Sequence, residues 1–301
     1  MKPQFQHEAT TSFALWLDHH LCKNAEAFEN KEGNLYYQED DRLPKYPDDP
    51  YGFVSYASEY KQWVYNDDVE GAKIPHGVFI DEGNGYEFCE RGEKGLILDF
   101  DNGRVLLDGE AFGENYKNLL IKCEFSVKDI NMYLTDDTEE SLVLENKLNI
   151  NSRSVPDLGK GIGVNPYEHV APAAFVSMER TTNTPYALGG EDLTHLYYRV
   201  VFFAENLYEL DGCLSVCADA VNLGIPNVGY DEYPLNEYGD IKEGSFSYSD
   251  TASLCKKVPN LMFIENVYSS KISDRLTKTT NPNLFLGFVD FEVCQARFPR
   301  S

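Results

Sequence analysis

The chain has 301 residues, enough for a substantial core, and carries Asp+Glu 50 against Lys+Arg 26, a net charge of −24. Such a surface repels nucleic-acid phosphates and anionic membranes, so direct sequence-specific nucleic-acid binding and membrane attachment are not expected. No apolar run is long enough to cross a bilayer, and no charged-then-apolar leader opens the sequence. With Tyr 20 and Phe 18, the composition favours a β-rich protein that touches other macromolecules. The Cys 7 are odd in number and match no zinc spacing, and read as buried thiols in a reducing compartment.

Residues 8 to 25 read as an amphipathic helix, with Phe13, Trp16, Leu17, His20 and Leu21 in its buried stripe. His19 and His20, near Asp18 and Cys22, suggest a metal only weakly, because adjacent helical residues point about 100° apart. Residues 37 to 77 are rich in Pro, Tyr and Asp and lack periodicity, which marks a long, functional or mobile loop. Its Tyr60, Trp63 and Tyr65 are either aromatic anchors for a partner or rings that pin the loop to its own domain. From residue 78, the runs VFID, YEFCE, LILDF, RVLLD, NLLIKCEFSV, INMYLT and SLVLENKLNI read as an antiparallel β-meander.

Within it, LILDFDNGRVLLDGE (96–110) places Asp99, Asp101 and Glu110 at positions one, three and twelve of an EF-hand-type loop. Gly103 and Arg104 then fall where an oxygen ligand and the bend glycine belong, so calcium is rejected. Asn102-Gly103 instead predicts a type I′ hairpin pairing Asp101 with Arg104, Phe100 with Val105 and Leu98 with Leu107. Asp99 and Asp108 should then point away from the apolar face.

Gly159-Lys160-Gly161-Ile162-Gly163 fits neither the P-loop nor the dinucleotide fingerprint. The expected organisation is therefore 1–152 (helix, Tyr/Pro loop and meander), a Gly/Pro linker at 153–166, and an α+β module at 167–301. In that module HVAPAAFVSM and LTHLYYRVVFFAE read as strands. Leu207, Leu210, Leu214, Cys217 and Val221 mark a helix stopped by Gly224 and Pro226. A second Tyr/Pro loop with Tyr230, Tyr233 and Tyr238 follows, and FSYSD, LMFIENVYSSKIS and LFLGFVDFEV supply further strands. Phe285, Gly287, Val289, Phe291 and Val293 share one face of the last. The fold class expected is α+β, with one main helix packed on a sheet.

No Gly-X-Ser-X-Gly elbow or His-Glu-X-X-His motif is present. His7, His76, His169 and His195 stand alone in sequence, and with so many carboxylates some pair always qualifies for glycoside chemistry.

The segments FQHEATTSFALWLDHHL, EYKQWVYN, GLILDFDNGRVLLDG, TEESLVLENK, YEHVAPAAFVS, YYRVVFFAENLYELDGCLSVCADAV and EYGDIKEGSFSYSD resemble virion structural proteins of tailed bacteriophages, of the marine T4-like myovirus type. The resemblance implies a non-enzymatic virion component without cofactor, metal or catalytic residues, assembled in the bacterial host cytoplasm. The second-half element order is similar to that of tail-terminator and neck proteins. That analogy implies a homo-oligomeric ring, six-fold or twelve-fold, contacting neighbouring neck and tail proteins. Candidate interface residues are Tyr60, Trp63, Tyr65, Tyr230, Tyr233 and Tyr238. Two other classes fit the residues: a carbohydrate- or receptor-binding module using Trp63, Tyr230, Tyr233 and Tyr238, and a cytosolic enzyme with a scattered carboxylate/His site.

Overall fold

A computed structural model describes residues 5–38, 52–137, 141–142, 149–150, 169–187, 190–254, 261–272 and 284–298. The chain is α+β, with two antiparallel-dominated sheets and a helix between them. The expected linker at 153–166 and most of the expected strand at 141–150 lie outside the described residues.

Helix α1 (Phe5–Asn24) buries more than the expected stripe. Ala14, Leu15 and Cys22 are buried along with Phe13, Trp16, Leu17 and Leu21, so its middle is enclosed on all sides. Its hydroxyls tolerate this because Thr10, Thr11 and Ser12 each bond the carbonyl four residues back, leaving no side-chain donor stranded.

The first sheet has the order β4-β3-β7-β1-β2-β6-β5. It is built from β1 (Phe28–Gln38), β2 (Phe53–Ala57), β3 (Gly77–Asp81), β4 (Tyr86–Glu90), β5 (Ile97–Asp99), β6 (Arg104–Asp108) and β7 (Leu120–Lys128). Strand β1 spans it, pairing with β7 along its first eight residues and with β2 at Tyr36, Tyr37 and Gln38. Two of these strands escaped the sequence reading: β1 altogether, and β2 inside the stretch read as structureless.

The second sheet runs β13-β14-β15-β12-β11-β8. Its strands are β8 (Asn131–Leu134), β11 (Ala173–Ala187), β12 (Glu191–Ala204), β13 (Gly224–Pro226), β14 (Leu261–Lys271) and β15 (Phe285–Arg297). A small parallel pair, β9 (Asn149–Ile150) and β10 (Val170–Ala171), stands apart. The sheets do not divide at residue 152, because β8 leaves the first half to pair in parallel with β11. Helix α1 likewise packs across the expected boundary: Phe13 stacks on Tyr198 at 4.2 Å and meets Phe291 edge-on at 5.0 Å.

Helix α3 (Leu207–Ala218) lies on the same face of the second sheet, capped by Asn206, whose side chain accepts from Glu209 N at 2.9 Å. Leu210, Leu214 and Cys217 are buried as expected, whereas Leu207 and Val221 at the ends of the stripe are exposed. Gly287 explains the close fit: a Cβ there would lie 2.8 Å from Leu210 Cδ1.

Two short helices correct the sequence reading. FSYSD is no strand; it opens helix α4 (Tyr248–Leu254) because Ser247 Oγ accepts from Asp250 N at 3.1 Å, a capping bond that competes with extended backbone. Asp108 likewise caps the short helix α2 (Gly109–Phe112), accepting from Glu110 N.

Candidate functional site

The hairpin at Asn102-Gly103 forms, but two residues out of the expected register. Asp99 pairs with Arg104 and Leu98 with Val105, so Phe100 to Gly103 make a four-residue turn. The physical reason is the Asp99 carboxylate. It accepts from Asn102 N at 3.0 Å, Asn102 Nδ2 at 2.8 Å and Arg104 Nε at 2.7 Å, and three donors to one carboxylate outweigh the Asn-Gly preference. The side chain expected to face solvent is therefore buried with its arginine.

Both Tyr/Pro loops close over this turn. From the first, Trp63 N donates to Phe100 O at 2.8 Å and Gln62 N to Asp101 O at 3.3 Å; from the second, Phe100 N donates to Gly239 O at 3.0 Å. Gly239 has φ +75°, and a Cβ there would sit 2.2 Å from Asp99 Oδ1, so only glycine admits this approach. The loops also join each other, through Asp67 N to Phe246 O at 2.8 Å and Tyr248 N to Asn66 Oδ1 at 3.1 Å.

The six candidate interface residues thus have different fates. Trp63 is 0% exposed, stacked on Phe125 at 4.5 Å, and Tyr65 is buried against Phe100 and Phe246. Neither has surface for a partner or a sugar; the rings pin the loop to its own fold. Tyr60, Tyr233 and Tyr238 are half-buried, Tyr60 beneath Lys31 and Tyr238 beside Phe53. Tyr230, 67% exposed, stands out into solvent. The structure brings most of the set together, around the hairpin turn.

Charges gather beneath the turn. Lys128 Nζ bonds Asp18 Oδ2 at 2.8 Å and lies 4.7 Å from the Tyr65 ring. Burial disfavours the Lys128 ammonium, but Asp18 outweighs it and the pKa rises. Burial raises Asp99 against the pull of Arg104, and raises Asp240 against Arg91, whose Nε donates to Asp240 Oδ2 at 3.0 Å. Asp101 keeps solvent access yet is crowded by protein; desolvation and then the Asp99 carboxylate push it up to about 6. His19 and His20 diverge as expected: His19 bonds Asn66 and stacks on Tyr248, while His20 reaches Val216 O on α3. Burial and then Lys23 lower His19 to about 4, so it is neutral at pH 7.

A second grouping, invisible in sequence, sits on the outer face of the second sheet. Register places His195 opposite Cys294, and His195 Nδ1 lies 3.2 Å from Glu265 Oε2. The thiol is not activated: burial and Glu265 push it up to about 12. Among the described residues no group of three or more His, Cys, Asp or Glu is placed to hold a metal.

A group of exposed apolar side chains lies on the first sheet's outer face. Phe79, Tyr86, Phe88 and Leu120 are 41, 42, 54 and 58% exposed. Phe79 pairs with Phe88 on β4 and with Lys122 on β7, and Asp81 lies between Tyr86 and Leu120, so the four share one face with one charge of each sign among them. The alternation in YEFCE was legible; which face it offers to solvent was not.

No family model matches the chain, and no curated protein matches it.

Proposed function

We propose that this chain is a non-enzymatic structural subunit of a tailed-phage particle, a ring-forming neck or tail protein. The observation that carries the assembly reading is the patch of Phe79, Tyr86, Phe88 and Leu120 on a sheet that ends, among the described residues, at β4. Large apolar side chains exposed together on one face mark candidate interaction sites, and repeated copies of one interface close rings. The charge of −24 keeps unassembled copies apart. The phage assignment itself rests on the sequence resemblance. Quantitative mass spectrometry of gradient-purified particles, measuring this chain against the portal protein, tests it. A ring-like count, about six or twelve per particle, is expected; absence from the particles would overturn it.

One observation favours a second reading, an acid–base enzyme: the raised Asp101 carboxyl beside Lys128 and Asp18. Perturbed carboxylates cluster at active sites. Asp99 and Asp240 each face an arginine, as structural carboxylates do. A hydrolase panel on the wild type and Asp101→Asn separates the readings; activity lost in the variant would promote the enzyme.

A further inference from the structure

We infer that the free edge of β4 receives an extended segment of a partner protein, added as a further strand, in which apolar residues alternate with lysine or arginine. The inference deepens the assembly reading and rests on it for the existence of a protein partner.

Three features converge on this edge. Among the described residues strand β4 ends the first sheet, and Tyr86, Glu87, Phe88 and Glu90 are exposed; the Glu90 amide donates to Glu93 Oε2 at 3.0 Å, so a partner strand would pair along Tyr86 to Phe88. An open edge offers unpaired backbone donors and acceptors to any strand that can lie alongside. The two faces beside the edge differ in chemistry. On the outer face, Phe88 and Tyr86 continue into Phe79 and Leu120. On the other, a cavity of about 350 Å³ is lined by Ile80, Glu82, Glu87, Cys89, Glu93 and Lys94, acidic in balance. A strand added to β4 sends alternate side chains to these two faces. Apolar residues would cover Phe88 and Tyr86, and the residues between them would enter the acidic cavity.

Charge selects the occupant. Asp81, Glu82, Glu87, Glu90 and Glu93 surround the edge, against Lys94, which pairs with Glu82, Arg91, which pairs with Asp240, and Lys122, which lies 4.5 Å from the Tyr86 ring. The excess is negative. A second copy brought to this edge would set the same excess of acids against its own counterpart, a net repulsion that disfavours self-association. Those acids thus guard the edge against self-association while leaving it open to a basic strand.

The probe is the heptapeptide acetyl-Lys-Val-Lys-Val-Lys-Val-Lys-amide, titrated into the full ¹⁵N-labelled chain by NMR and calorimetry. Saturable binding is expected, with amide shifts centred on Tyr86–Glu90. Glu87→Lys or Phe88→Ser should weaken it about tenfold, a loss of about 1.4 kcal/mol, with melting unchanged; Phe79→Ser serves as an independent second variant. Glu292→Lys, on the other sheet, should leave binding intact. Equal weakening by Glu292→Lys would show attraction to bulk charge only, and overturn the inference. Shifts elsewhere, no saturable binding, or full binding by a peptide N-methylated at alternate amides would also overturn it. So would a dimer in sedimentation velocity that Phe88→Ser dissolves, which would make the occupant a second copy. Particle copy number fails or succeeds independently of all these outcomes.

Discussion

Two groups of aromatic side chains, similar in chemistry, are used in opposite ways. Trp63, Tyr65 and Phe100 lie inside, where the loops cross the hairpin turn. Phe79, Tyr86 and Phe88 stand outside, on the regular strands β3 and β4. The irregular region is the sealed one and the regular region the open one, the reverse of the usual expectation that loops carry recognition. On the second sheet's outer face, where Phe263 and Tyr268 are also exposed, charge contacts run among the rings: Arg199 binds Asp290 through two bonds of 2.6 and 2.8 Å, and Arg180 lies 4.1 Å from the Tyr197 ring. The first sheet's patch has Asp81 and Lys122 within it, yet Phe88 and Leu120 remain more than half exposed, at 54 and 58%.

The contrast can be broken at its strongest point by Trp63→Ala. Removing a ring of no exposure from between Phe125 and Phe100 should cost about 3–5 kcal/mol, read by urea unfolding. Next is Arg104→Ala, which leaves Asp99 buried with its charge unpaired and should cost about 3 kcal/mol. The double variant with Asp99→Ala should recover part of that loss; no recovery would mean the pair is not coupled.

Asp101→Asn sharpens the electrostatic side. The folded carboxyl is raised to about 6 from 3.8, so ionisation disfavours the fold, and wild-type stability should fall as pH rises from about 4 through 6. The variant should therefore be the more stable at pH 7, by less than about 1 kcal/mol because solvent screens the group. The advantage should vanish below pH 4, which melting curves across that range would show. Smallest of all, Phe88→Ser should change stability by less than about 0.5 kcal/mol. A larger loss would place Phe88 in the stability group and erase the distinction.

Periodicity carried the sequence reading where one element faces one neighbour. The α3 stripe at Leu210, Leu214 and Cys217 and the alternation of Val289, Phe291 and Val293 appear as expected, because a helix on a sheet imposes both periods at once. It failed where burial is on every side, as at Ala14 and Leu15, since α1 has a neighbour on each face. The hairpin register was misjudged because Asp99 recruits Asn102 and Arg104, and local carboxylate bonds leave no mark in hydropathy. Trp63 and Tyr65 could not be placed from their own segment, because Gly239 and Phe246 cover the same turn from far along the chain. His195 and Cys294 met only through the β12–β15 register.

The packing of α1 on β15 also governs the order of biosynthesis. Phe13 is synthesised long before its neighbour Phe291, which belongs to the last described strand. Contacts this distant in sequence slow folding. Until β15 has been translated, the nascent chain must carry Phe13 and Trp16 without their native cover, a window in which exposed apolar surface invites aggregation. Chaperone occupancy during translation should accordingly persist until β15 is released.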